Sequence, residues 1–317
     1  MRVLITGGAG FIGSNVAALF FKNGLSVDIV DNLSSGHLQF VPFLNGQNIH
    51  IHDFSNDFIL DKIRNQSYDV VVHLAAVPRV SYSVEFPLKT HEVNVTSTLK
   101  LIEACRGNVQ RFVFASSSSV YGGADQLPTP TSFLKNPKSP YALQKSIIED
   151  YLRLYYELYN LDSACLRFFN VFGPNQLGNS PYSTAVSSWI NAVLSGRPMR
   201  SDGDGTQSRD MCYVDNVADV CLRATLSKNS IGAQALNVSC GDRVTNKEIL
   251  QYLLNKFPNS EYYSAPWRVG DVMHSQADIS KTKEVLGYVP IVEFWQGLDK
   301  TIEWYKDNWE LVKNLSR

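Results

Sequence analysis

Short apolar runs alternate with longer stretches in which apolar residues recur every three or four positions, and this alternation repeats from the first residues to Ala115. Residues 3–5, 27–30, 49–51, 70–74 and 111–115 read as buried strands, while 14–23 and 85–105 carry helical spacing. Strands alternating with helices predict an α/β fold: an open, parallel, doubly wound sheet.

A further helix is predicted from Ser139, an N-cap residue type, to Asn160, with Pro140 at the first helical position, where its missing N–H costs nothing. It carries two apolar stripes: Tyr141, Lys145, Ile148, Leu152, Tyr155 and Tyr159, then Ile147, Tyr151, Leu154 and Leu158. Two stripes need two packing partners. If the first faces the sheet, the second is free to pair with the 85–105 helix across a two-fold axis, which predicts a homodimer.

Residues 163–169 read as another strand, after which Gly178, Pro181, Gly196, Pro198, Gly203 and Gly205 mark a smaller lobe with more loop than sheet. Within it, 209–215 predict a strand running into a helix over 216–226. A strand at 236–238, a helix over 246–257 and a closing helix near 294–311 follow. The expected division is a first domain over 1–170 and a second lobe over 171–317, with the segment of about 208–240 returning to the first.

Composition narrows the class. Of 317 residues, 44% are hydrophobic and 19% charged, as in soluble globular proteins, and the net charge of -1 shows no basic nucleic-acid footprint. Five scattered cysteines without a Cys-x-x-Cys pair predict reduced thiols in a cytoplasmic setting. Glycines follow Thr6 at once, too soon for a signal peptide, and nowhere do 18 apolar residues run together, so neither export nor a membrane span is expected.

The chemistry starts at Gly7-Gly8-Ala9-Gly10-Phe11-Ile12-Gly13, between a strand and a helix. Glycines there allow a tight turn and close approach of a pyrophosphate to the helix N-terminus. The next strand ends in Asp31, where a carboxylate can bind both hydroxyls of an adenine ribose and repel a 2'-phosphate, so NAD is preferred to NADP. Asp53 follows the third strand within reach of an adenine edge, and Ala75-Ala76 are small enough to let a cofactor pass. His50 and His52 share one side of their strand, but no further ligands are spaced for a metal, and none is expected.

Ser117 ends the strand at 111–115, and Tyr141 and Lys145 lie one helical turn apart. A phenol that must act as a base near neutrality needs its anion stabilised by about 4 kcal/mol, and the Lys145 ammonium is the expected source. Together with the Ser117 hydroxyl, this set suits removal of a proton from a carbinol while another group takes the hydride. Arg209 and Arg268 are each followed by an aspartate that can orient a guanidinium. Two such arginines facing one cleft suit a diphosphate, and each alone also fits an interlobe salt bridge.

The ordered motifs, from the glycine run through Asp31-Asn32-Leu33-Ser34-Ser35-Gly36, His73-Leu74-Ala75-Ala76, Asn94-Val95, the serine run, Tyr-x-x-x-Lys, Leu166-Arg167-Phe168-Phe169-Asn170, Gly203-Asp204-Gly205 and Gly270-Asp271 to Lys281, resemble the extended short-chain dehydrogenase/reductases. Within them the chain resembles the nucleotide-sugar 4-epimerases, and most closely those acting on UDP-N-acetylglucosamine. The resemblance covers essentially the whole chain. It implies a Rossmann domain binding NAD, a UDP-sugar-binding lobe, a homodimer and a place in polysaccharide or glycoconjugate synthesis. Related 4,6-dehydratases carry an acid directly after the catalytic hydroxyl, whereas this chain has Ser117-Ser118, which implies epimerisation.

By the same resemblance Ser117, Tyr141 and Lys145 are catalytic, Tyr141 taking the proton of the sugar O4. The implied NAD site comprises Gly7, Gly10, Phe11, Ile12, Gly13, Asp31, Asn32, Ser35, Gly36, Asp53, Phe54, Leu74, Ala75, Ala76, Asn94, Tyr141, Lys145 and Phe168. Lys145 is expected on the nicotinamide ribose. The implied substrate site comprises Val80, Ser117, Ser118, Tyr141, Asn170, Gln176, Arg209, Arg268, Asp271 and Ser275. Ser275 matches a position where narrow UDP-galactose 4-epimerases carry tyrosine and those accepting N-acetylated sugars carry a small residue; Gln176 and Cys212-Tyr213 fit the same pattern. Val77-Pro78-Arg79 departs from it, and Arg79 suits either solvent or a uronic carboxylate. The rivals are UDP-glucose and UDP-glucuronate 4-epimerases and, from another class, a non-catalytic NAD-binding sensor.

Overall fold

The computed structural model describes residues 1–180, 183–267 and 272–315, so Arg268 and Asp271 lie outside the described residues. The chain begins with β1 (Arg2–Thr6), α1 (Phe11–Lys22), β2 (Ser26–Val30), β3 (Ile49–His50), α2 (Asp57–Arg64) and β4 (Val70–His73). Three short helices follow: α3 (Val80–Glu85), α4 (Pro87–His91) and α5 (Thr98–Cys105), the last two joined by a π-helical turn over Glu92–Ser97. Then come β5 (Arg111–Ser117), the long α6 (Pro140–Tyr159) and β6 (Ser163–Phe168). The remainder runs β7 (Val171–Phe172), α7 (Ala185–Leu194), β8 (Met199–Asp202), β9 (Ser208–Arg209), β10 (Cys212–Tyr213), α8 (Val214–Leu226) and β11 (Gln234–Val238). It ends with β12 (Val244–Thr245), α9 (Asn246–Lys256), β13 (Tyr262–Ala265), α10 (Ser280–Leu286), α11 (Phe294–Asp307) and α12 (Trp309–Leu315).

Seven strands form one parallel sheet in the order β11-β6-β5-β4-β1-β2-β3. Because side chains alternate across a strand, successive residues feed two cores. Val3, Ile5, Val70 and Val72 join Val16, Phe20 and Val217 on one face, whereas Leu4, Val71, Phe112 and Phe114 join Ile59, Leu101 and Ile148 on the other. Helices on both faces make this a Rossmann-type doubly wound sheet. Its strand order reverses between β1 and β4, where the carboxyl ends of the strands open a crevice for a ligand. A third core, with Trp189, Leu250, Leu253, Leu298 and Tyr305, lies in the second half of the chain.

Three predicted elements are interrupted. The helix expected over 85–105 breaks at Phe86 (φ -127°, ψ 62°), since the ring of Pro87 drives the residue before it out of the helical region. The strand expected over 209–215 is split into β9 and β10 around Asp210, whose carboxylate turns inward, and it ends at Tyr213, since α8 begins at Val214. The closing helix is two, α11 and α12, parted at Asn308. On α6 the second stripe is not wholly free either, because Ile147 and Tyr151 pack partly against the core and only its outer half, Leu154 and Leu158, is exposed. All five cysteines are free thiols and four are buried. Among the described residues no helix is long and apolar enough to cross a membrane.

A buried ion pair ties α6 to the sheet. Arg167 on β6 donates from Nε to Glu149 Oε1 at 2.9 Å and from its terminal nitrogen to Oε2 at 2.7 Å, while the Ser116 hydroxyl on β5 donates to Oε1 at 2.6 Å. Arg167 also donates to the Tyr121 hydroxyl at 2.9 Å, which in turn donates to Asn237 Oδ1 on β11 at 2.6 Å. Removing one partner would leave a buried charge uncompensated, so Glu149→Gln is expected to cost about 3–5 kcal/mol of unfolding free energy in urea titrations. A loss below about 1 kcal/mol would contradict this view of the pair.

Candidate active site

The turn between β1 and α1 is closed to side chains. Gly7 has φ +68°, and a Cβ there would lie 2.9 Å from the Ala75 backbone; a Cβ on Gly13 would lie 2.0 Å from the Gly7 carbonyl oxygen. The α1 N-terminus has neither a side-chain cap nor an acid in its first turn. Its dipole and N–H groups therefore face the crevice, which fits the pyrophosphate of a dinucleotide. Asp31, just past β2, is held by the backbone N–H groups of Ala9 (3.0 Å) and Leu33 (2.8 Å), and burial pushes its pKa up. Gly36 lies against it: a Cβ there would come 2.8 Å from the Asp31 carboxylate. Asn32 and Asp53 fix their own turns, accepting from Ser34 N at 3.1 Å and from Ser55 N at 2.9 Å; Ser35 is exposed.

Two residues expected at the cofactor have side chains engaged elsewhere. Phe54 is buried in the core, its ring edge-on to His73 at 4.8 Å. Asn94, within the π-helical turn, accepts from Val77 N at 2.8 Å and donates to Val77 O at 3.1 Å and to Gln144 Oε1 at 2.8 Å, so it shapes the loop after β4. His50 lies against Asp28 at 3.3 Å, and no group of acids, histidines and cysteines among the described residues could hold a metal ion.

The structure brings the catalytic candidates together. β5 ends at Ser117, in register with Phe168 on β6, and a 3-10 turn begins at Ser118. The Ser117 oxygen accepts from the Ser119 hydroxyl at 2.9 Å, and the Ser117 side chain acts on the Tyr141 phenol, lowering its proton affinity. The Ser139 side chain caps α6, accepting from Ala142 N at 3.2 Å, which sets the helix start and thus the place of Tyr141. Tyr141 N donates to the Ser83 hydroxyl at 3.1 Å. One turn on, Lys145 Nζ donates to the Ala115 carbonyl at 2.7 Å and lies 4.7 Å from the Phe114 ring centre.

Burial pushes the Tyr141 phenol up to about 12, partly offset by the Ser117 side chain. Lys145 itself is drawn down to about 7 by burial, against the pull of Glu149. Its Nζ lies 5.9 Å from the Tyr141 ring centre and is directed at a carbonyl. Burial and the Lys145 charge hold His73 well below the usual histidine range; as a neutral ring it contacts the Thr6 (2.7 Å) and Thr98 (3.0 Å) hydroxyls.

On the substrate side, Asn170 (φ +24°) follows β6 and donates from Nδ2 to Asp210 O at 2.9 Å and to the Ser275 hydroxyl at 3.3 Å. Ser275 is half-buried, its backbone pinned to β9 and Asp210 through Ser208 O (3.1 Å) and Asp210 N (2.9 Å). Arg209 donates to the Ser208 and Met273 carbonyls at 3.0 and 3.1 Å. Asp210 does not serve as its orienting partner. The carboxylate instead accepts from the N–H groups of Cys240, Gly241 and Ala277 at 3.2, 3.1 and 2.9 Å and from the Ser239 hydroxyl, and burial raises its pKa to about 6. Gln176 is buried, its amide joined to Val171 O, Thr184 and Ser187. Val80 starts α3 and is exposed. The sequence reading missed Gln144, Glu149 and the structural role of Asp210. A glutamine and a glutamate placed among apolar positions of the 141–155 stripe were the available signal for the first two.

Comparison with known proteins places these features. Residues 3–239 match the NAD dependent epimerase/dehydratase family, and the chain belongs to that family; NAD is its cofactor. It is 35% identical over 313 residues to a putative UDP-glucose 4-epimerase of Methanocaldococcus jannaschii, covering 96% of this chain and 99% of that one. A UDP-glucuronate 4-epimerase of Thermodesulfobacterium geofontis is also 35% identical, over 329 residues covering 98% of each chain. Among solved structures, a UDP-N-acetylglucosamine 4-epimerase of Methanobrevibacter ruminantium in complex with UDP-N-acetylmuramic acid superposes with a TM-score of 0.90 at 35% identity, covering 97% of this chain and 98% of that one.

The depressed Lys145 pKa has a definite sign. Between its folded value near 7 and its unfolded value near 10.5 the unfolded chain binds more protons, so stability rises with pH across that window. Unfolding free energies at pH 7 and pH 9.5 are expected to rise more in the wild type than in Lys145→Met. Parallel changes in the two proteins would remove Lys145 as the source.

Proposed function

We propose that the chain is an NAD-dependent UDP-sugar 4-epimerase that interconverts UDP-N-acetylglucosamine and UDP-N-acetylgalactosamine. The observation that carries the epimerase reading is the grouping of Ser117, at the carboxyl end of β5, with Tyr141 in the first turn of α6 and Lys145 one turn behind, its Nζ 5.9 Å from the Tyr141 ring centre, in a chain of this family. Tyr141 takes the proton from the sugar O4 and returns it after the keto-sugar turns over, while Ser117 holds the same oxygen. NAD supplies the hydride acceptor and, on the way back, the donor. A dehydrogenating sugar must stay enclosed meanwhile, so the cofactor is retained and no added NAD is needed.

The choice of N-acetylated sugars rests on Ser275. A small hydroxyl held by Asn170 leaves room where a bulkier residue would close the wall near C2. Arg79, exposed with Nε donating to the Ser81 hydroxyl at 3.0 Å, is the group that would favour a uronic acid instead. Products formed from separate UDP-sugars, followed by NMR, distinguish these. The Ser275→Tyr variant should lose about tenfold to a hundredfold in kcat/KM for N-acetylated substrates while sparing UDP-glucose and UDP-galactose, since overpacking costs roughly 1–3 kcal/mol. If both classes fall together, Ser275 is structural and the substrate assignment fails.

The same reading includes a homodimer. Leu143, Leu154 and Leu158 on α6 are exposed, and so are Val84 and Leu88 on the helices packed beside it. Such a continuous apolar face suits a second copy related by a two-fold axis. Light scattering at micromolar concentration should give twice the chain mass; a monomer would refute the dimer.

A further inference from the structure

Between the two catalytic residues of α6 lies a buried amide that the proposed chemistry does not use. Gln144 is only 3% exposed. Its Nε2 donates to the Thr90 hydroxyl on α4 at 2.9 Å, and its Oε1 accepts from Asn94 Nδ2 at 2.8 Å. Asn94 in turn grips both backbone groups of Val77, N–H to Oδ1 at 2.8 Å and Nδ2 to O at 3.1 Å. The loop 74–79 carries Ala75, the residue that lies 2.9 Å from where a Gly7 Cβ would project, so it borders the glycine turn. Two amides thus connect that border to the residue directly before Lys145.

We propose that Gln144 is a positioning residue that fixes the loop 74–79 against the catalytic helix through Asn94. Gln144 Nε2 also reaches the Pro87 carbonyl at 3.5 Å, so every polar hydrogen of the two amides has a partner; a gap in the network would leave Asn94 Nδ2 and the Thr90 hydroxyl short of a bond in a buried site. The π-helical turn over Glu92–Ser97 serves the same end. It places Asn94 toward the loop, while Thr98 just beyond it meets His73 at the end of β4. Without Gln144 the loop keeps its grip on Asn94 but loses its fixed distance from Tyr141. A displacement of about 1 Å in such a site can cost up to a hundredfold in rate.

The kinetic part of this inference rests on the proposed epimerase activity, and the structural part does not. Gln144→Leu keeps size and helix propensity. Hydrogen–deuterium exchange of the peptide covering 74–79 should quicken at least about tenfold while β4 and β5 stay protected, because Val77 N–H loses its anchored acceptor. The variant's kcat should fall at least about tenfold with KM for the UDP-sugar within about threefold, since the interaction aligns groups rather than binding substrate. Unchanged exchange at 74–79, or a kcat within about threefold of wild type, would overturn the proposal. Thr90→Val, which removes only the outer anchor, should show the same exchange change at smaller amplitude, and it decides the matter if Gln144→Leu fails to fold. A wild type inactive on every UDP-sugar would refute the epimerase reading alone, leaving the exchange result to judge Gln144.

Discussion

The buried carboxylate of Glu149 is the fixed point of the catalytic half of this molecule. It lies one turn beyond Lys145 on α6 and receives two bonds from Arg167 on β6 and one from Ser116, the residue before Ser117 on β5. A rotation of α6 that moved Tyr141 would have to break charge-assisted bonds between buried groups. The proposed catalytic set is therefore placed by this pair, and the network through Tyr121 extends the constraint to β11. Asp210 plays the corresponding part in the second half of the chain, where backbone N–H groups from two segments converge on one carboxylate.

That rigidity has an electrostatic consequence. The dry surroundings that hold Tyr141 and Lys145 in place also disfavour their charged forms, pushing the phenol up to about 12 and the amine down to about 7. The protein by itself thus keeps the phenol protonated. In the proposed reaction the nicotinamide of NAD carries a positive charge when oxidised, and its presence beside the phenol would favour the anion. Base strength at Tyr141 would then follow the cofactor's redox state, which suits a proton that must leave and return with the hydride.

Much of this was legible in the sequence because it depends on local rules. The glycine turn, Asp31, the Ser139 cap and the Tyr-x-x-x-Lys spacing follow from backbone sterics and helix geometry, and the parallel sheet follows from strand and helix alternation. What was not legible depends on where distant chain segments meet. Asp210 seemed a partner for Arg209 because they are adjacent, but successive residues of an extended chain point to opposite sides, and its carboxylate met Gly241 and Ala277 instead. Gln144 stands out only as a polar residue among apolar positions, and nothing local announces Asn94 and Thr90 as its partners. The break at Phe86 was available in the sequence from Pro87, and the long apolar periodicity masked it.

The account stands most directly on where the C4 hydrogen goes. UDP-N-acetylglucosamine carrying deuterium at C4, incubated with purified protein and no added NAD, should yield UDP-N-acetylgalactosamine that retains the label at C4, with none released to water. Inversion accompanied by loss of the label to solvent, or no inversion with this sugar while UDP-glucose or UDP-glucuronate turns over, would contradict the account.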